Sequence, residues 1–226
     1  MTMKARIIKR LLTGALALTL AMAPSMGALA VSGNGTSAGT KAGTVAGAVG
    51  AGAAETEAQI MEAFPNAKST STVAGIKTSV SGVYMFEKNV VLATLTSAAD
   101  LAARYALPNG ARAFVKAYDM DVKKSNLAKA CMDKAAAAYG ATVFGYLNFE
   151  LGMMQNGKYS LLAGGQGVDA VLSIPKNVYV AGGSYGVICV QEGGVVTLLQ
   201  DTTPENDVIT VTLPAGRSAL ALVKIG

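Results

Sequence analysis

The sequence predicts a mainly β, α+β fold: an antiparallel β-sandwich-like domain carrying two or three short helices. Three observations predict it. Asn156-Gly157 separates two strand-forming runs and is the strongest two-residue hairpin signal. Ile209, Val211 and Leu213 alternate with Val208, Thr210 and Thr212, the period of a half-buried antiparallel strand. From Ala141 onward, strand-forming runs follow one another at short spacing with Gly-rich turns between them, the pattern of a sandwich. No repeat period is present.

The elements follow in order. Glu55 to Phe64 places Ile60 and Phe64 four apart, has acids in its first turn and meets Pro65, so a short helix is expected. Thr72 to Leu95 is rich in Val, Ile, Tyr, Phe and Thr and broken by Gly75, Gly82 and Asn89, which predicts two or three strands. Ser97-Ala98-Ala99-Asp100 has capping-box spacing, with Leu101 and Tyr105 on one face before Pro108. Arg112 to Asp119 reads as a strand. Ser125 is expected to cap a helix running to Tyr139, with Gly140 as its left-handed terminator. Its Leu127, Cys131, Ala135 and Ala138 share a face and are expected to pack on the sheet. Strands are then predicted at Val143 to Met154, Lys158 to Leu162, Val168 to Ile174, Val178 to Val180, Tyr185 to Gln191, Val195 to Leu199, Val208 to Leu213 and Ser218 to Ile225. The last is expected at a sheet edge, as terminal strands often are.

The amino-terminal quarter has a different character. Residues 1–30 carry Lys4, Arg6, Lys9 and Arg10, then an uncharged apolar run from Leu11 to Ala23, then Ala28-Leu29-Ala30. That layout predicts a secretory signal peptide cleaved before Val31, and the apolar run is shorter than the ~20 residues a bilayer requires. Residues 31–54 are almost all Gly, Ala, Ser, Thr and Val and read as a flexible spacer. Residues 55–226 form the β-rich domain. The chain has 19 basic and 14 acidic residues; the signal holds four bases and no acid, which leaves 15 against 14, a formal +1. Without a basic stripe, nucleic acid is not an expected partner. No lipid-attachment cysteine or second anchor replaces the signal, so the mature protein is expected outside the cell, without stable membrane insertion and at most non-covalently held at the surface.

Chemistry-bearing residues are few. Histidine is absent, which removes Ser-His-Asp triads, Cys-His dyads and His-ligated metal sites. Asp119 and Asp121 lie two apart, a spacing suited to an acid/base pair or to a turn before a capped helix. Asp201, Glu205 and Asp207 gather oxygen ligands in one loop, the donor type Ca²⁺ takes, without any fixed motif spacing. Cys131 and Cys189 each lie among apolar residues; they read as small hydrophobes or, after export, as a bridge. Tyr84, Tyr118, Tyr146, Tyr159, Tyr179 and Tyr185 lie in strand-like stretches, where they pack in the core or, several together, form a sugar platform. Met153-Met154 reads as the end of a core strand or an exposed apolar patch.

Residues 148–151, Asn156-Gly157-Lys158, Ile174-Pro175, 185–190, 193–201 and 206–211 together resemble β-sandwich modules of secreted and surface proteins of Gram-positive bacteria. The resemblance covers roughly the last ninety residues. Those modules end in a Phe-Ser-x-Tyr-Ala-like strand; Arg217 to Leu222 keeps Ser218 and lacks both aromatics. It implies a fold and an extracellular location, and carries over no catalytic residue. The expected function is a secreted, non-catalytic binding or structural module of the bacterial cell exterior. It would need no cofactor and would recognise an extracellular protein or a cell-surface component, glycans included, through strand edges or loops. The alternatives are a tyrosine-based carbohydrate-binding module and, behind it, a cation-dependent enzyme.

Overall fold

A computed structural model describes residues 55–88, 90–204 and 206–226. The expected signal peptide and spacer, residues 1–54, lie outside the described residues, as does Glu205. The described chain runs β1 (Glu55–Thr56), α1 (Glu57–Ala63), β2 (Thr72–Val73), β3 (Ile76–Lys77), β4 (Gly82–Met85), β5 (Leu92–Thr94), α2 (Ala98–Arg104), β6 (Arg112–Asp119), α3 (Asn126–Ala138) and β7 (Ala141–Gln155). There follow β8 (Lys158–Leu161), β9 (Val168–Ser173), β10 (Ser184–Gln191), β11 (Val196–Gln200), β12 (Val208–Leu213) and β13 (Gly216–Ile225). Among these elements, no helix is long and apolar enough to cross a membrane.

The fold is mainly antiparallel β and sandwich-like, built on the 15-residue strand β7. One edge of β7 pairs with β6; the other pairs first with β13 and then, past its end, with β8. The large sheet therefore runs β4-β6-β7-β13-β10-β11, with β8 and β1 continuing the β13 side. A three-stranded sheet, β12-β9-β5, covers one of its faces. The core between them takes every second residue: Val115 and Ala117, Leu147, Phe149 and Leu151, Val187 and Cys189, Leu220 and Leu222 from the large sheet meet Leu92, Leu172, Ile209 and Leu213. Alternation on a pleated strand puts the remaining residues on the far face. There α3 packs Met132 and Ala136 on Ile188, Ala219, Ala221 and Val223, while α1 packs Ile60 on Phe114, Met154 and Tyr159.

Two local devices set this register. Asn156 (φ 50°) and Gly157 (φ 71°) are both left-handed, so β7 and β8 join through the twist-compatible turn their sequence signals. A bulge opposite Leu222 and Val223 inserts Phe144 into β7. Beyond it the parity reverses, so Phe144 packs toward the sandwich core while Val143 packs toward α3.

Several expectations are corrected. The carboxy-terminal strand is central, hydrogen-bonded to β7 and β10, because its apolar residues on both faces are needed by two separate cores. Ser125 makes no side-chain cap; Asp121 holds the turn instead, accepting from the N–H groups of Lys123 and Lys124. Residues 178–180 are part of a turn in which Val178 and Tyr179 both donate to the carbonyl of Pro175. The buried face of α3 is rotated from the expected one, since Met132 and Ala136 are buried and Leu127 is 82% exposed. Met132→Ala is therefore expected to cost about 2–5 kcal/mol in urea unfolding, and Leu127→Ala less than about 0.5 kcal/mol.

Candidate functional site

The β10–β11 hairpin ends the large sheet. Its turn uses Gly193 (φ 82°) and Gly194 (φ 78°), conformations that side chains with a Cβ adopt rarely. Gln191 donates to the carbonyl of Val195, and Asp201 donates to that of Tyr185. With Cys189 opposite Thr197 and Val187 opposite Leu199, the odd-numbered residues of β11 thus aim their backbone groups at β10. The N–H and C=O groups of Val196, Leu198 and Gln200 then point outward, where no described strand pairs with them.

The other long edges are capped. Lys68 and Ser69 bond along β4, and Ser79 and the Thr78 hydroxyl bond Thr94 on β5. Across the middle of β12, Thr202 donates to the Thr210 carbonyl while the Thr210 N–H donates to Asp201. By contrast β11 carries no charge, no proline and no bulge, the usual guards of a free edge. Val196, Thr197, Leu198 and Leu199 are half-buried and the preceding Val195 is 51% exposed. Where the two sheets separate beside this edge lies a cavity of about 290 Å³, lined by Cys189, Thr197 and Leu199 on one side and Thr212, Leu213 and Pro214 on the other.

The candidate residues from the sequence have structural work. Asp201 Oδ1 accepts from the N–H groups of Thr203 and Thr210 at 2.9 Å and from the Thr203 hydroxyl, which fixes its own loop; Asp207 is exposed. Among the described residues, no group of three acids, cysteines or histidines is placed to hold a metal ion. Asp119 and Asp121 are not brought together as a pair: Asp119 Oδ2 accepts from the N–H groups of Glu87 and Lys88, and Asp121 caps the turn before α3. Hydrogen bonds from Lys124 hold the Asp121 carboxyl below the usual range.

Of the six tyrosines, Tyr84, Tyr159 and Tyr185 are buried and Tyr118 and Tyr146 half-buried; Tyr179 is 37% exposed and stacks on Tyr185 with centroids 6.4 Å apart. No coplanar row of exposed rings is formed among them. Met154 is buried against α1 and Met153 packs on the main core. The two cysteines are free, with Cys189 in the core between the sheets and Cys131 on the helix covering the opposite face. Burial pushes the Cys189 thiol up to about 12, a rise the Ser218 hydroxyl only partly opposes. At pH 8 about one such thiol in ten thousand is ionised. Iodoacetamide is therefore expected to label Cys131 in the folded protein and Cys189 only after denaturation; comparable rates at both sites would contradict the burial.

One constellation was missed at the sequence level. On the helix-covered face, the Lys116 ammonium lies 2.8 Å from carboxylates of both Glu55 and Glu150, and Arg217 Nε donates to Glu150 at 3.1 Å. Lys116 also sits 4.5 Å from the centroid of the Tyr159 ring. Burial, reinforced by the Glu150 charge, raises the Tyr118 and Tyr159 phenols well above their ordinary value. The cluster pairs two cations with two carboxylates, Glu150 lying between Lys116 and Arg217.

No family model matches the chain, and neither a curated protein nor a solved structure matches it.

Proposed function

We propose that this protein is a secreted binding or structural module of the bacterial cell exterior that works by contact rather than turnover. The observation that carries the reading is the open edge of β11, an uncharged, partly apolar strand with three outward backbone pairs unclaimed among the described residues. Such an edge adds a strand from a partner, with main-chain bonds supplying affinity and alternate side chains supplying specificity. The low share of charged residues, 15% against roughly 25% in ordinary soluble domains, favours association in the same way. The acids and tyrosines are engaged in loops and cores, which gives less support to a cation-dependent enzyme or a tyrosine sugar platform. Among the tyrosines named above, Tyr179 is the most exposed ring a glycan would meet.

The test is co-sedimentation with cell envelopes of the source bacterium. Wild-type protein and a control, Leu127→Lys, should sediment together with the envelopes, while Leu198→Lys stays in solution with an unchanged folded spectrum. Sedimentation of Leu198→Lys at the wild-type level would overturn the reading. Loss on Tyr179→Ala, with competition by oligosaccharide, would transfer the function to the glycan alternative.

A further inference from the structure

We infer that the partner of the β11 edge is a second copy of the same strand, paired antiparallel about a two-fold axis at Leu198; this rests on the edge being the working surface.

The pairing follows from hydrogen-bond parity. Residues whose backbone groups point outward from an edge must face residues of the same kind. In β11 these are Val196, Leu198 and Gln200. An antiparallel partner centred on Leu198 sets Leu198 opposite its own copy and Val196 opposite Gln200 of the second chain. All three outward pairs on each chain are then bonded. A closed two-fold pairing of this kind uses the same patch twice, so the β11 edge of each chain is consumed.

The side chains suit that register on both faces. On the helix-covered face, Leu198 meets Leu198, next to the apolar cluster that Val196 and Leu198 already join. On the sandwich face, Thr197 meets Leu199 of the second copy. Thr197 lines the cavity between the sheets, so the incoming Leu199 would lie at that cavity's wall and extend its apolar lining. Charge is compatible as well. Between Glu192 and Asp201 there is no ionisable residue. In this register Asp201 faces Val195 and β11 itself carries no charge, so no acid opposes an acid along the paired strands. Like charges directly opposite are what would disfavour a strand pair.

The self-opposed position supplies the test. Sedimentation velocity of the full chain is run from about 1 µM to 1 mM, a range that captures weak strand-edge association. Wild type should move from monomer to dimer with concentration. Leu198→Lys and Leu198→Glu should each weaken dimerisation at least tenfold, because each sets like charges face to face. An equimolar mixture of the two should regain a heterodimer. Leu198→Pro, which removes an outward N–H and leaves the ladder to β10 intact, should also remain monomeric with an unchanged far-ultraviolet spectrum. A wild-type monomer at 1 mM would overturn the inference, and so would dimers that persist in all three variants. In the monomer case, envelope binding that still depends on Leu198 would leave the broader reading standing with a different strand as partner.

Discussion

Glu150→Gln is expected to destabilise the domain by about 3–5 kcal/mol, read as a lower urea midpoint at unchanged slope. The side chains of Lys116 and Glu150 are each 4% exposed, so neither charge is solvated by water. Neutralising Glu150 leaves Lys116 buried against Glu55, whose carboxylate is itself half-exposed, and leaves Arg217 without its partner. The cost is the desolvation of charges no longer compensated. Lys116→Met combined with Glu150→Leu should recover most of the loss, because an apolar pair fills the same space without that penalty. A change below about 1 kcal/mol in the single variant would mean that water reaches the cluster.

Gly82→Ala is expected to cost about 3 kcal/mol or more, through backbone collision rather than lost contact. A Cβ at Gly82 would stand 1.9 Å from the carbonyl oxygen of Val115 in β6. That oxygen belongs to a strand held on its other side by β7, so it has nowhere to move. Relief requires β4 to separate from β6, breaking the parallel pairing and exposing Val83 and Tyr84, both buried. The check is loss of amide protection in β4 together with a lower unfolding midpoint. Wild-type stability in this variant would show that the β4–β6 approach is looser than described.

What was legible in the sequence was local. The bounds of β6 and β12, the Asn156-Gly157 turn and the left-handed Gly140 after α3 follow from alternation and turn chemistry within a few residues. The face of α3 was not legible because alanines surround the helix, so Leu127 outweighed Met132 in the pattern although packing chose the methionine. The central place of β13 depends on two partners far away in sequence, which no local period encodes. The same holds for the charge cluster: Lys116 reads as an ordinary polar residue between Val115 and Ala117 until β7 brings Glu150 beside it. The β11 edge was anticipated only as a strand. That it lies outermost follows from β13 filling the centre, and Asp201, read only as one of several loop oxygen ligands, also caps β12 through the Thr210 N–H.

Hydrogen exchange resolved to single amides, first in dilute protein and then with added envelope or at high protein concentration, tests the central claim most directly. In dilute protein the amides of Val196, Leu198 and Gln200 should exchange freely while those of Thr197 and Leu199, bonded to β10, exchange slowly. On association the three outward amides should slow together. Protection of those three already in dilute protein, or protection gained at another edge with β11 unchanged, would contradict the account.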